Sequence, residues 1–563
     1  MELSATAAQV NAAFNVTEDE FTLTQSGRTY FANNQAPTVA SDVDAVQGLT
    51  NIGFVEKGKI TDQSAPCVLA APSGMACEGG LEGYELRTIY NVGSTNTGTG
   101  QALAVNGDGD TQGPTADLHK YESDRGITAA NEVKTVFVNT DNDNCVSSGV
   151  QPTTCDTSGE GEWALDSTSS TAMAPGVKTL YYFFPSALGN ASGFQAWADY
   201  NSTTNGPIPM QENASWGECE AYGSTFVPIA DGSMVTYTNA FVDAAGKKKT
   251  QFVSAGDLGG GCLLTGVNGV TPGGPPQTQW PCSSPWVVCV GGTVIYSNGA
   301  TDSTEQRANM GLSTCTPQTT VSSPLNNCYE IAWSHTGGGT SYILPAPSWQ
   351  TSMPGTTLVG HCVVDPNGNT YTPPGPTCRG VPDVAAFSGD ISVVVGVETN
   401  MDDGNGFNDV EGGTPQTSSG GPTAGTESED GGTSLSDPLW EGMWADANSA
   451  LGTGDSSWGF AAPVLYAIGD NPTADSCAFF DVQKDETGTS FPYPAAPRSA
   501  VNPVGWDYVS GLGSPNVTCL EQELAAVPVN APEAPSAVLF VLVAPVLVGG
   551  AALLRRRRRR AAA

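Results

Sequence analysis

The chain has 563 residues, too many for one small domain, and 39% of them are apolar, enough to bury a large core. Its 57 acidic residues outnumber 21 basic ones, so the formal net charge is −36 at pH 7. This charge repels nucleic acid and argues against a basic patch for phosphates, so we expect no nucleic-acid partner. An acidic habitat and a saline habitat explain this negative net charge equally well.

Residues 1–57 are predicted to form a small α/β segment at the N-terminus. Residues 7–14 have a helical pattern, and residues 20–31 alternate like a hairpin with its turn at residues 26–27. No basic stretch followed by an apolar one marks a signal peptide. Export by another signal is one explanation, and a truncated N-terminus is the one we favour. A loop with two cysteines follows, and we predict a linker over residues 58–83.

Strand-like and helix-like stretches alternate in the main part of the chain, residues 84–520. Alternation of this kind predicts an α/β fold in which helices cover both faces of a parallel sheet. The strand-like runs are 102–105, 133–138, 179–184, 250–254, 286–290 and 391–397, and helix-like stretches include 115–125 and 439–451.

The 14 cysteines form no CxxC pair, which argues against zinc ribbons and thioredoxin chemistry. Several lie close together in the sequence, so disulfides that close local loops in an exported protein are the natural interpretation. The alternative is buried free thiols. The neighbouring pairs are Cys67 and Cys77, Cys145 and Cys155, Cys282 and Cys289, Cys315 and Cys328, and Cys362 and Cys378.

The C-terminus has the pattern of a membrane anchor. Residues 521–535 are predicted to be a stalk rich in Ala, Pro and Val, and residues 536–554 form an uncharged run of 19 residues. About 20 apolar residues span a bilayer, and the six arginines that follow should stay cytoplasmic. We therefore predict a transmembrane helix at 536–554, a cytoplasmic tail at 555–563 and an extracellular location for the rest. The alternative is a buried core helix.

Ser434 is the candidate nucleophile, within the sequence GGTSLSDP at residues 431–438. Glycines permit a tight turn, and a helix N-terminus favours negative charge that develops nearby. Taken alone, the motif fits a helix N-cap equally well. None of the three histidines, His119, His335 and His361, has a sequence context typical of a catalytic base.

Carboxylates are the candidate partners of this serine. Glu162 and Asp166 are four residues apart in GEWALD, a spacing that places both on one face of a helix. Two carboxyl groups in contact share a proton, which makes Glu162 a plausible base oriented by Asp166. The alternative is that both residues are solvated acids on an exposed helix. Asp257 follows a buried strand in SAGDLGG, a position typical of functional residues.

Several further segments are similar to one known family. LRTIYNV at 86–92, WPCSSPWVVCVGGT at 280–293, WSHTGGGTSYILPAPSWQ at 333–350 and RGVPDVAA at 379–386 occur in the same order as in that family. Together with the serine and carboxylate motifs, they resemble the sedolisins, the serine-carboxyl peptidases, up to about residue 520.

The resemblance implies a subtilisin-like fold, activity in acid, insensitivity to pepstatin and protein or peptide substrates. It implies that Ser434 is the nucleophile, Glu162 the general base and Asp166 the acid behind it. Asp257 would be protonated and would donate a hydrogen bond to the oxyanion. The implied reaction is hydrolysis of a peptide bond through an acyl-enzyme.

The resemblance also implies a zymogen and one calcium ion. Residues 1–57 resemble the C-terminal part of the inhibitory prodomain, so the chain's own propeptide would be a partner. The predicted calcium ligands are the carboxylates of Asp481 and Asp507 and the backbone carbonyls of Val482, Pro503 and Gly505, an oxygen set that suits Ca²⁺.

Two departures from the family pattern leave other functions open. Asp437 stands where a small alanine is usual, and the acidic loop at 400–430 is longer than expected. Either feature fits an altered pH range or an obstructed cleft. The alternatives are an inactive surface protein that uses the same scaffold for binding, and a true subtilisin with a histidine base.

Overall fold

A computed structural model describes parts of the chain between residues 6 and 526. The described residues are 6–22, 29–33, 35, 37–39, 56–57, 83–127, 132–137, 159–185, 191–204, 206–222, 227–228, 233–257, 259, 278–297, 328–333, 336–352, 358, 360–363, 370–388, 397–398, 429–452, 456–482 and 506–526.

Helices occur along the whole described chain. They are α1 (Ala7–Phe14), α2 (Gly83–Ile89), α3 (Gln112–Asp124), α4 (Glu160–Met173), α5 (Ser192–Asp199), α6 (Ser233–Gly246), α7 (Ser348–Thr351), α8 (Thr433–Ser449), α9 (Ala461–Gly469), α10 (Pro472–Ala478) and α11 (Val517–Ala526).

Most of the strands are short. They are β1 (Glu18–Thr22), β2 (Thr29–Asn33), β3 (Glu56–Lys57), β4 (Leu103–Asn106), β5 (Glu132–Phe137), β6 (Thr179–Phe184), β7 (Gln211–Glu212), β8 (Trp216–Cys219), β9 (Ala221–Tyr222), β10 (Val227–Pro228), β11 (Thr250–Ser254), β12 (Gln279–Trp280), β13 (Val288–Ser297), β14 (Cys328–Ala332), β15 (Gly339–Pro345), β16 (Cys378–Val381), β17 (Val384–Phe387), β18 (Val397–Glu398), β19 (Glu429–Asp430), β20 (Phe479–Phe480) and β21 (Ser514–Pro515).

A parallel sheet forms the centre of the molecule. Its strand order is β5, β6, β4, β7, β11, β13 and β17, with every pairing parallel. A parallel bridge between Val105 and Asn213 joins β4 to the segment that follows β7. The far half of β13 pairs antiparallel with β14. The predicted parallel α/β fold is therefore confirmed.

Helices cover both faces of the sheet, because alternate side chains of its buried strands point in opposite directions. Leu103 and Val105 of β4 belong to the same core cluster as Trp163 of α4. Ala102 and Ala104 instead join a second cluster that contains residues of α5 and α6. Strand β6 alternates in the same way, with Tyr182 on the side of α4 and Tyr181 on the side of α5.

The helix α8 crosses one face of the sheet and is almost wholly buried. Trp440 donates its indole N–H to Ala385 O in β17 at 2.9 Å, and Glu441 Oε1 accepts from the Ala104 N–H in β4 at 2.7 Å. The helix also packs closely against α4, because a Cβ added at Gly442 would lie only 2.3 Å from Ser170 O. α8 is therefore held by both the sheet and α4.

The N-terminal elements match their predictions where they are described. The helix α1 has the predicted bounds, and β1 and β2 form the expected antiparallel hairpin; the predicted turn at residues 26–27 lies outside the described residues. The strand β3 pairs antiparallel with β8, with Glu56 opposite Gly217 and Lys57 opposite Trp216.

Several boundaries differ from the predictions. The strands predicted at 102–105 and 133–138 are displaced by one residue, and the strand predicted at 286–290 spans Val288–Ser297. Most of the strand predicted at 391–397 lies outside the described residues. The helix predicted at 115–125 spans Gln112–Asp124, and the helix predicted at 439–451 begins earlier, at Thr433, and ends at Ser449. The stalk predicted from residue 521 is wrong at its start, because α11 continues to Ala526 and buries Leu524 in the core. The alanines of this segment predict a stalk, but the burial of Leu524 shows that its first residues belong to a packed helix.

Two of the predicted local disulfides are present, Cys282–Cys289 and Cys362–Cys378. The structure adds Cys477–Cys519, which joins α10 to α11 across 42 residues and is not predicted by the sequence pattern. No cysteine is free in the described part of the chain, which argues against the thiol alternative there. The other three predicted pairs involve residues outside that part.

No helix among the described residues is both long enough and apolar enough to span a bilayer. The predicted transmembrane segment at 536–554 and the tail at 555–563 lie outside the described residues.

Candidate active site

The candidate nucleophile Ser434 lies in the first turn of α8 and is buried. The chain enters the helix through Gly432, whose φ of +129° suits glycine. A Cβ at this position would also lie 2.8 Å from Asp257 Oδ2. Glycine at 432 therefore allows Asp257 to lie directly beside the start of the helix that carries the serine.

Asp257 is placed by the strand β11, which ends three residues before it. Its Oδ1 accepts hydrogen bonds from the Thr433 backbone N–H at 2.7 Å and the Thr433 hydroxyl at 2.8 Å. The Gly256 N–H in turn donates to Thr433 Oγ1 at 2.9 Å. Thr433 thus fixes the Asp257 carboxyl next to Ser434, across 176 residues of sequence.

Glu162 and Asp166 lie one turn apart on α4, as their spacing predicts, and both are buried. Ser215, in the segment between β7 and β8, links this helix to the serine. Its hydroxyl donates to Asp166 Oδ1 at 2.6 Å and lies 3.2 Å from the backbone carbonyl oxygen of Ser434. The structure therefore brings Asp166, Ser215 and Ser434 together.

The surroundings of Asp166 favour its protonated form. Burial raises the pKa of Asp166 well above its usual value, and the nearby charge of Glu162 raises it further. The hydrogen bond from Ser215 acts in the opposite direction. Two adjacent buried carboxyl groups resist being ionised together, so Asp166 retains its proton more readily than an exposed aspartate does.

Two further carboxyl groups lie behind the pair on α8. Burial raises the pKa of Asp437 well above its usual value, as do the charges of Glu441 and Glu162. Burial also raises the pKa of Glu441 to about 8. Asp437 stands out in the sequence as a departure from the family pattern, but no sequence signal singles out Glu441 or Ser215.

The described histidines lie elsewhere. His119 is on α3, where its ring is 3.1 Å from a carboxylate oxygen of Glu122. His361 forms a β-bridge with Thr377, and His335 lies outside the described residues. Within the described chain, Ser434 Oγ is buried and has no hydrogen-bond partner. The serine hydroxyl therefore makes no hydrogen bond to a described histidine or to Glu162, and Asp166 reaches the backbone of Ser434 through Ser215.

The two segments predicted to bind calcium meet in the fold. Asp481 and Asp507 are both buried, and Val482 packs against Val509. Asp507 Oδ1 accepts hydrogen bonds from the backbone N–H groups of Val509 and Ser510 at 2.7 and 2.8 Å. Two buried carboxylates with adjacent backbone fit a hard cation. Pro503 and Gly505 lie outside the described residues.

Three known proteins are similar in sequence to this chain over most of its length. Sedolisin from a Pseudomonas strain is 28% identical over 527 residues, which cover 91% of this chain and 73% of that protein. Kumamolisin from a Bacillus strain is 26% identical over 521 residues, covering 91% and 76%. Xanthomonalisin from a Xanthomonas strain is 27% identical over 518 residues, covering 87% and 52%.

The fold agrees with these sequence relatives. The structure of Pseudomonas sedolisin, a serine-carboxyl proteinase complexed with two molecules of pseudo-iodotyrostatin, aligns with a TM-score of 0.55 and 24% identity. The alignment covers 80% of this chain and 99% of that one. The chain is similar to the sedolisins in sequence over most of its length, and it shares their fold. Sedolisins are serine-type peptidases, and the α/β fold described above is theirs. No protein-family model matches the chain.

Proposed function

We propose that this protein is an acid-acting endopeptidase that cleaves protein or peptide substrates through an acyl-enzyme on Ser434. The observation that carries this proposal is the link made by Ser215, which joins the buried carboxyl pair on α4 to the backbone of Ser434. A carboxylate base remains ionised in acid, where an imidazole is already protonated.

The proposed reaction begins when Ser434 Oγ attacks the carbonyl carbon of the scissile peptide bond and Glu162 accepts the hydroxyl proton. Asp166 holds Glu162 in place and shares its proton with it. The protonated carboxyl group of Asp257 donates a hydrogen bond to the oxyanion that develops. The intermediate then expels the amine, which takes the proton from Glu162, and water releases the acyl group by the reverse sequence.

We also propose that the protein is made as a zymogen, with residues 1–57 as the end of its propeptide. The support is the pairing of β3 with β8. The strand β8 begins at Trp216, directly after Ser215, which contacts both Asp166 and Ser434. A propeptide strand at this edge would block an extended substrate from pairing there, and cleavage within 58–83 would release it.

A single Ca²⁺ ion is proposed at Asp481, Asp507 and the carbonyl groups of Val482, Pro503 and Gly505. A bound ion would neutralise the two buried carboxylates and stabilise the folded state. Addition of Ca²⁺ to chelator-treated protein should raise the melting temperature, and Asp481→Asn should remove the increase. An equal increase in the variant would contradict the proposed site.

We further propose export, with residues 536–554 as an anchor that leaves the peptidase on the outer face of the cell membrane. The support is the length of that apolar run and the six arginines that follow it. Protease treatment of intact cells should remove the peptidase domain from the cell fraction and leave a C-terminal epitope tag protected.

The decisive experiment for the activity is cleavage of an unfolded protein substrate between pH 2 and 8, with Ser434→Ala as the matched control. We expect activity only in acid and its loss in the variant. Activity confined to neutral pH would contradict a carboxylate base. A folded protein that is inactive at every pH would support the binding scaffold instead.

A further inference from the structure

The helix that carries the nucleophile also carries a carboxyl group for which the proposed reaction has no role. Asp437 follows Ser434 by three residues on α8, so the two side chains lie on neighbouring positions of one helix face. Asp437 is fully buried. A buried carboxyl group is costly unless it is paired or protonated, so its presence beside the nucleophile requires an explanation.

One short segment holds both Asp437 and the catalytic acid pair. The Ala214 N–H donates to Asp437 Oδ2 at 3.0 Å, and the next residue, Ser215, donates to Asp166 Oδ1 at 2.6 Å. Asp437 Oδ1 is buried and has no hydrogen-bond partner in the described chain. The two carboxyl groups are therefore fixed side by side by adjacent residues.

The groups that face Asp437 are acidic. Glu162 and Asp166 face it from α4, and Glu441 faces it from the next turn of α8. Glu212 of β7 lies behind Glu441. No basic side chain of the described chain is among the groups that act on Asp437. Mutual repulsion and burial prevent these carboxyl groups from all being ionised together.

We propose that Asp437 is a further positioning residue of the active site, a neutral acid beside the Glu162–Asp166 pair whose ionisation ends activity as the pH rises. This proposal rests on the proposed function. An ionised Asp437 would place a second negative charge behind the nucleophile. That charge would oppose the oxyanion that forms on attack by Ser434 and would disturb the single charge shared by the pair.

The test compares the pH dependence of kcat/KM for the wild-type protein and Asp437→Asn. The amide keeps an acceptor for the Ala214 N–H but carries no charge. We expect the upper pH limit of activity to move upward by about one pH unit, the usual effect of removing a like charge from a close site. Asp437→Ala, with the residue that we expect in the family, should shift the limit in the same direction.

The matched control is Asp446→Asn, which removes a second buried carboxyl group from the same helix. Asp446 lies far from Ser434, and the charged groups that act on it are Arg87 and Glu521. The loss of thermal stability between pH 4 and pH 8 should be smaller in both asparagine variants than in the wild-type protein. Only Asp437→Asn should move the upper pH limit of kcat/KM.

Three outcomes would overturn the proposal. The first is an unchanged pH limit in both Asp437 variants. The second is an equal shift in Asp446→Asn, which would mean that the limit reflects global stability. The third is a folded Asp437→Asn variant that is inactive at every pH. An inactive wild-type protein would refute the proposed function instead, and the stability measurement would still decide whether Asp437 holds a proton.

Discussion

At the scale of single residues, short polar contacts hold the acidic side chains of the candidate active site in place. Thr433 fixes Asp257 through two hydrogen bonds, and Ser215 fixes Asp166 through one. Thr433 and Ser215 carry no charge, so they hold the two carboxyl groups without forming ion pairs with them. Both carboxyl groups therefore remain able to accept or donate protons.

The proposed oxyanion role of Asp257 leads to a prediction for two substitutions. Asp257→Ala should lower kcat by about 10²–10³-fold, the usual cost of removing one oxyanion donor. Asp257→Asn should lose much less, because its amide still donates a hydrogen bond. The measurement is steady-state cleavage of a chromogenic peptide at the optimum pH.

The control for this experiment is Asp199→Ala, which removes an exposed carboxylate paired with Lys247. Its kcat should equal that of the wild-type protein, and the melting temperatures of all variants confirm that they fold. Full activity in Asp257→Ala would exclude the oxyanion role.

At the scale of elements, the central contact is the packing of α4 against α8. These two helices carry the candidate base and the nucleophile, so their separation sets the distance between the reacting groups. Gly442 allows the close approach, because an added Cβ would lie 2.3 Å from Ser170 O and 2.6 Å from Met173 Cβ. A helix interior normally disfavours glycine, so its presence here reflects packing.

Gly442→Ala should therefore lower the free energy of unfolding by about 1–3 kcal/mol, the usual cost of overpacking. It should also lower kcat, because α4 and α8 must move apart. The matched control is Gly246→Ala at the end of α6, where an added Cβ meets nothing within 4 Å. That change should stabilise the protein by up to about 1 kcal/mol. Equal melting temperatures for the two variants would contradict the packing argument.

At the scale of the whole molecule, the dominant property is a core that contains many carboxyl groups. Burial raises the pKa of Asp446 and of Glu441 to about 8, and it raises the pKa of Asp166, Glu212 and Asp437 well above the usual range. Folding therefore favours the protonated forms.

Stability should consequently fall as the pH rises. Because the folded pKa values exceed the unfolded values near 4, the contribution of these groups is complete below about pH 4 and is lost as the pH rises toward about 8. We expect the melting temperature at pH 7.5 to be lower than at pH 4 by more than about 5 °C.

The double variant Glu441→Gln and Asp446→Asn should show a weaker pH dependence in the same calorimetric scans. A melting temperature that is constant between pH 4 and 7.5 would mean that these carboxyl groups are paired in a way that keeps them ionised.

Local sequence patterns are sufficient to predict several features of the fold and of the candidate site. The spacing of Glu162 and Asp166 predicts their common helix face, and alternating strands and helices predict the parallel sheet. The motif order indicates the similarity to the sedolisins, which the comparisons support. These features depend on neighbours in the sequence, because helical spacing and strand alternation are properties of the backbone. The catalytic roles of the four residues stay predictions.

Only the tertiary structure decides which distant residues meet. Ser215 contacts Asp166 and Ser434 across 49 and 219 residues of sequence, and Cys477 joins Cys519 across 42. Such contacts arise when helices pack on a sheet, and no local pattern encodes them. The environment of Asp437 also depends on contacts between segments that are distant in the sequence. In the sequence it is an unexplained acid after the serine, and only the fold buries it close to Glu162 and Asp166.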